Sequence, residues 1–231
     1  MAPLLVLVHS PLVGPTTWRP VAERLTAAGH EVRVPSLLHV GSGGPPYWPR
    51  AVDAVQESLA GVPDDAPVAL VAHSNAGLLV PAIRAGVAQP VAHSLFVDAT
   101  LPATTGPSPA LPPELLEMLR PMAVDGVLPR WTDWWPEEDV AAMLPDPELR
   151  RTIVEEQPAL PLAYFEQRLP VPLERGDAPC SYLQFSTPYD GEAADARERG
   201  WKVGRLPGTH LQQVVDAGET VRWVVRMVGG G

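Results

Sequence analysis

Lysine is almost absent from this 231-residue chain: Lys202 is the only one, so nearly all of the 17 basic side chains are arginines. Acidic residues number 27, the formal charge is −10, and no segment gathers the arginines into a stripe. That argues against a nucleic-acid-binding surface. Cysteine is scarce as well. Lone Cys180 cannot form an internal disulfide, and no positively charged segment precedes the apolar start, so the expectation is a cytoplasmic protein without an export signal. Long apolar runs are missing: residues 3–8 are far too few to span a bilayer, and no membrane partner is expected. His30 and His93 have no partner at metal-ligand spacing and no Cys/His cluster exists, which predicts no metal. Gly41, Gly43 and Gly44 lack the spacing and helix opening of a phosphate loop. What remains, 45% apolar and 19% charged residues, describes a globular domain able to bury one sizeable core.

The chain alternates. Strand-compatible runs lie at 4–8, 31–35, 67–72, 94–98, 181–185 and 202–206, with helix-compatible stretches at 17–28, 51–59, 76–87, 191–199 and 214–228. This order predicts an α/β fold, a doubly wound and mainly parallel six-stranded sheet, and unbroken hydrophobicity in the first and third strands predicts helices on both faces. Residues 101–179 break the rhythm. They hold 15 of the 29 prolines, three of the seven tryptophans (Trp131, Trp134, Trp135) and no convincing strand. We read residues 1–100 and 180–231 as the core and 101–179 as a helical lid, with helices at 113–120, 136–144 and 147–156 opened by prolines that suit a first helical turn. Such an insertion would roof the sheet's C-terminal edge, with Trp131 and Trp135 as substrate contacts, gluing the cap, or both. His39, Tyr47 and Trp48, in the Gly/Pro-rich loop after the second strand, would lie near the pocket rim; His39 is a further candidate contact. Trp18 is expected to pack at the start of the first helix. The last three glycines read as a frayed end.

The most informative segment is Ala72-His73-Ser74-Asn75-Ala76-Gly77, where an apolar strand gives way to a helix-compatible run. A serine on such a tight strand-to-helix turn needs small neighbours, and Ala72 and Ala76 supply them. Ser74 is then a candidate nucleophile. It requires a base, an acid and an oxyanion hole. The base is His210, in a turn-rich loop after the sixth strand, where parallel sheets keep their sites. His73 reads as a local packing residue.

Together, the apolar first strand Leu4-Leu5-Val6-Leu7-Val8, the loop His9-Ser10-Pro11-Leu12, the serine turn and the late His210 resemble the α/β-hydrolases, in style the branch of plant methyl esterases and hydroxynitrile lyases. The resemblance implies a Ser-His-acid site with no metal and no organic cofactor. It leaves two acids open. The family most often places the acid after the strand before the last, which nominates Asp190. Only 20 positions separate Asp190 from His210, however, and Asp190 reads as a helix N-cap. Asp98, ending the strand next to the serine strand, is the stronger candidate. The resemblance also assigns one oxyanion donor to the N–H of Asn75, but the second falls on Pro11, which has no N–H. The N–H of Leu12 or the hydroxyl of Ser10 must then substitute, unless a shifted loop restores an ordinary hole.

The expected function is a serine hydrolase that cleaves a small or medium-sized carboxylic ester, thioester or lactone through Ser74, His210 and Asp98. The alternative is a cofactor-independent lyase or cyclase in which Ser74 and His210 move a proton without acylation. A non-catalytic binding protein is disfavoured by the presence of both residues. The expected partner is a small molecule, with a homodimer left open.

Overall fold

The computed structural model describes residues 2–172 and 178–229. Strand β1 (Leu4–Val8) is buried along its whole length. Successive side chains on a strand point to opposite faces, so an all-apolar run needs cover on both. Leu4, Val6 and Val8 join one core cluster, and Leu5 and Leu7 join another. The same parity sorts β3 (Val68–His73), whose Val68, Leu70 and Ala72 take the first face while Ala69 and Val71 take the second.

Around these lie β2 (Val32–Arg33), β4 (Val91–Val97), β7 (Cys180–Gln184) and β8 (Lys202–Arg205). They form one six-stranded parallel sheet in the order β2-β1-β3-β4-β7-β8. Helices α1 (Arg19–Ala27) and α10 (Ala217–Gly229) cover one face; α2 (Trp48–Ser58), α3 (Val80–Gly86) and α8 (Asp190–Glu198) cover the other. In α10 the buried positions are Ala217, Thr220, Val224 and Met227, spaced three, four and three apart as one helical stripe requires. The order of strands reverses between β1 and β3. Their carboxyl ends therefore open a crevice at the switch point.

The insertion between β4 and β7 carries α4 (Pro113–Leu119), α5 (Glu137–Met143), α6 (Pro147–Glu156) and α7 (Leu162–Glu166). Residues 147–156 form a helix as the sequence predicts, and Asp146 caps it by accepting the N–H groups of Glu148 and Leu149, both at 3.0 Å. Two features depart from expectation here. Helix α7 is additional, and a short antiparallel ribbon, β5 (Ser108–Pro109) with β6 (Arg168–Leu169), ties the two ends of the insertion together. Strands two residues long leave no periodicity to read. Of the segment expected as lid, 173–177 lies outside the described residues, as do the last two glycines; Gly229 closes α10.

Two helices start or break differently from the sequence pattern. The stretch expected as a helix from 76 opens as a tight 3-10 turn, Ser74–Leu79, before α3 begins. Pro81 explains the delay, since it has no N–H to bond back four residues into that turn. Near the end of the chain, α9 (Gln212–Val215) and α10 are separate because Asp216 intervenes and accepts the Glu219 N–H at 2.9 Å, capping a new helix. No helix among the described residues is long and apolar enough to cross a membrane.

The serine turn packs against the end of β4 through Gly77. A Cβ there would sit 2.3 Å from the Thr100 carbonyl oxygen and 3.0 Å from the Ala99 Cβ. Backbone cannot yield as a side-chain tip can. Gly77→Ala should therefore cost about 1–3 kcal/mol of stability, read as a lower urea midpoint at unchanged slope, and a neutral result would mean that the turn and β4 separate freely.

Candidate active site

Ser74 follows the last residue of β3 and has φ 59°, in the left-handed region that residues with a Cβ avoid. That conformation costs of order 1–3 kcal/mol and persists only where the surroundings dictate it. Here they do. Ala72 and Ala76 are fully buried on either side, Gly77 admits the Thr100 carbonyl, and the Thr100 N–H bonds to the Ser74 carbonyl at 3.2 Å. The hydroxyl is thereby presented at the crevice rather than packed into the helix.

His210 reaches it from the loop after β8. Its Nε2 lies 3.0 Å from Ser74 Oγ, and its Nδ1 lies 2.8 Å from Asp98 Oδ2. With Nδ1–H donating to the carboxylate, Nε2 is left as the acceptor for the serine hydroxyl. Asp98, just past β4, is completely buried and also has a positive φ, 41°. Its Oδ1 accepts the N–H groups of Phe185 at 2.8 Å and Ser186 at 3.0 Å, and its Oδ2 accepts the Ser186 hydroxyl at 2.6 Å. A carboxylate this deep needs such partners.

Ser74 and His210 open onto a cavity of about 960 Å³. The insertion supplies much of its wall, including Leu115, Met118, Trp131, Trp134 and Trp135. Asp139, Glu192, Asp195 and Arg199 line it as well, and a cleft of this size with mainly apolar walls and a few polar groups is the usual form of a small-molecule site.

No family model matches the chain, and no curated protein matches it. Solved structures do. An extracellular α/β-hydrolase from a Paenibacillus species, described as sharing structural and functional homology with tobacco salicylic acid binding protein 2, is similar at TM-score 0.75 and 17% identity, over 97% of this chain and 98% of that one. This chain has the α/β-hydrolase fold. A pyrethroid hydrolase from Sphingobium faniae gives TM-score 0.68 at 17% identity, over 100% of this chain and 98% of that one. Tomato methylketone synthase I, solved with 2-tridecanone, gives 0.67 at 14% identity, over 99% and 98%.

Within this α/β-hydrolase fold the other expected site residues divide. His210 pairs with Asp98, whereas Asp190 is the first residue of α8 and accepts from the Gln184 amide. It is not the N-cap, a position held by Tyr189, because the preceding 3-10 turn Thr187–Tyr189 carries the chain into the helix one residue earlier than expected. Trp131 and Trp135 both line the cavity, and Trp131 also packs on His210 at 6.0 Å. His39 does not line it. That residue is exposed, and its carbonyl closes a turn onto the N–H and hydroxyl of Ser42. Tyr47 belongs to the core, and Trp48 opens α2.

Pro11 has a structural explanation. The Val13 N–H bonds to the Ser10 carbonyl at 3.0 Å, so Ser10–Val13 is a β-turn with proline at its second position, where no N–H is needed. Leu12, the next residue, lines the cavity beside Ser74 and Asn75. Its N–H donates to Ser10 Oγ at 3.3 Å, so Ser10 acts here as an acceptor within the turn. Ser10 itself is buried and outside the lining of the large cavity.

Several residues around the site were not singled out from sequence. Ser186 and Tyr189 come from the loop after β7. Tyr164, on α7, donates its hydroxyl to Asn75 Oδ1 at 2.7 Å, while Asn75 Nδ2 donates to the Ala110 carbonyl, so the insertion is tied to the serine turn. His9 accepts the Leu37 N–H at Nε2 and donates from Nδ1 to the Ser10 carbonyl, which anchors the turn after β1. His73, which the sequence marks only as a local packing residue, donates from Nε2 to the His210 carbonyl at 2.8 Å, and Trp18, expected to pack at the start of the first helix, lies edge-on against its ring. Local sequence gives no sign of these long-range bonds.

Burial drives the imidazole pKa values of His9 and His73 down to about 4 and about 3; for His73 the neighbouring His210 adds to the effect. An unfolded histidine takes its proton near pH 6.5. Below that pH the unfolded chain binds more protons than the folded one, so stability falls as the solution is acidified, by up to about 1.4 kcal/mol per pH unit for each group. Thermal melts should show Tm declining from pH 6.5 to 4.5, and a flat profile would contradict two buried neutral imidazoles.

Proposed function

We propose that this protein hydrolyses carboxylic esters through an acyl–serine intermediate. Ser74 Oγ attacks the carbonyl while His210 Nε2 takes its proton; the same proton goes to the departing alcohol, and water then releases the acyl group by the reverse sequence. Asp98 keeps the imidazole in the reactive tautomer and stabilises it when charged. The Asn75 N–H and the Leu12 N–H receive the oxyanion, the latter leaving its 3.3 Å bond to Ser10 for a charged and stronger acceptor. The observation that carries this reading is the continuous hydrogen-bonded line from Ser74 through His210 to Asp98 at the wall of a cavity. Likeness in fold to two hydrolases supports it. The cavity volume of about 960 Å³ and its tryptophan and leucine walls suit an ester, thioester or lactone with a sizeable apolar group.

One observation favours a second reading, a cofactor-independent lyase or cyclase. In the resting arrangement the Leu12 N–H faces Ser10, which weakens the hole that acyl transfer needs. Ser74 and His210 would then pass a proton without a covalent step. An intact acyl-enzyme trapped in mass spectra during turnover separates the two, because only hydrolysis forms one.

A fluorophosphonate probe should label Ser74, and Ser74→Ala should lose both labelling and turnover. Asp98→Asn should lower kcat about 10³- to 10⁴-fold through the wrong imidazole tautomer. Asp190→Asn should leave kcat near wild type and act on stability, since its partner is Gln184. The opposite outcome for the two aspartates would move the acid to Asp190.

A further inference from the structure

Two hydroxyls in the loop after β7, those of Ser186 and Tyr189, have different uses. Ser186 spends its hydroxyl on Asp98. Three residues on, across a turn closed by the Tyr189 N–H on the Ser186 carbonyl, the Tyr189 ring lies face to face with the His210 imidazole, 4.9 Å between centroids and 4° from parallel. The residue lines the cavity together with Ser74 and Thr100. Burial pushes that phenol well above its ordinary range, so it stays a neutral O–H donor at any working pH.

Position then restricts what the donor serves. The oxyanion would face the Asn75 and Leu12 N–H groups, which come from the turns after β3 and β1. Tyr189 comes from the loop after β7, on the opposite side of β3 from β1, with its ring parallel to the imidazole. The oxygen of the departing alcohol must also lie on that side, because His210 Nε2 has to reach it.

We propose that Tyr189 is a catalytic residue that donates a hydrogen bond to the leaving-group oxygen as the acyl–oxygen bond breaks. This role rests on the serine-hydrolase reading. When the tetrahedral intermediate collapses, the electron pair of the breaking C–O bond goes to the alcohol oxygen and the proton on His210 Nε2 moves to it. Tyr189 keeps its own proton throughout and stabilises the charge that builds up before His210 has delivered. Its ring, stacked on the imidazole, also fixes the plane in which His210 turns from base to acid.

The test is a leaving-group comparison on the purified full-length protein. A p-nitrophenyl ester has a leaving group stable as an anion, whereas the ethyl ester of the same acid does not. Tyr189→Phe keeps the stacked ring and removes only the hydroxyl. For this variant kcat/KM should fall about 10- to 100-fold on the ethyl ester, the worth of a hydrogen bond to a developing charge, and stay within about threefold on the p-nitrophenyl ester. Equal losses on both esters, or no loss on either, overturn the leaving-group role while the labelling of Ser74 by fluorophosphonate remains intact. A wild-type protein that takes no label and cleaves neither ester overturns the hydrolase reading, and this role with it.

Discussion

A buried carboxylate organises this molecule. Asp98 has no exposure to solvent, and a carboxylate so placed is tolerable only when its oxygens are bonded. Two backbone N–H groups, one hydroxyl and one imidazole N–H converge on it, three of them from the end of β7 and its loop and one from the loop after β8. Three strand ends are thus fixed to one point. Satisfying the charge and setting the direction of the His210 ring are one arrangement, because the donor that completes the shell is the imidazole itself.

Backbone strain marks the same place. Ser74 and Asp98 both adopt positive φ, and each is held by a backbone bond across the sheet: Thr100 N–H to the Ser74 carbonyl, and Asp98 N–H to the Leu183 carbonyl at 2.8 Å. Strands of a parallel sheet are rigid enough to sustain such positions, and tightly packed small residues around Ser74 leave the chain no easier path. Neutral His9 and His73 serve as internal braces, one on the turn after β1 and one on the backbone of His210. Neither needs to titrate to do this.

The location of Asp98 also decides what the neighbouring loop is free to do. With Asp98 at the end of β4, the loop after β7 does not carry the carboxylate; it provides Ser186 to that carboxylate and Tyr189 to the face of His210. The insertion adds the apolar wall and is joined to the serine turn by Asn75, which bonds both Tyr164 and the Ala110 carbonyl. Cavity and catalytic candidates therefore form one connected network, in which a change in the insertion is felt at the residue after Ser74.

Local pattern was enough for the architecture. Parity of apolar residues in β1 and β3, the small residues around Ser74 and the prolines opening the insertion helices are properties of neighbouring positions, and neighbouring positions determine strand, turn and helix. The same sequence pointed to Ser74, His210 and Asp98 and to the missing N–H of Pro11, yet it put His39 at the pocket and offered no view of Ser186, Tyr189, Tyr164 or His9. Those roles depend on contacts between residues far apart in the chain: 88 positions from Asp98 to Ser186, 89 from Asn75 to Tyr164. Sequence by itself determined the sheet, its order of alternation and the tight turn at Ser74, since backbone sterics and burial periodicity are local. Which carboxylate meets the imidazole, which histidine stays at the surface and which phenol lies against the catalytic candidate were decided only in three dimensions, where desolvation drives most buried polar atoms to a partner, however distant along the polymer.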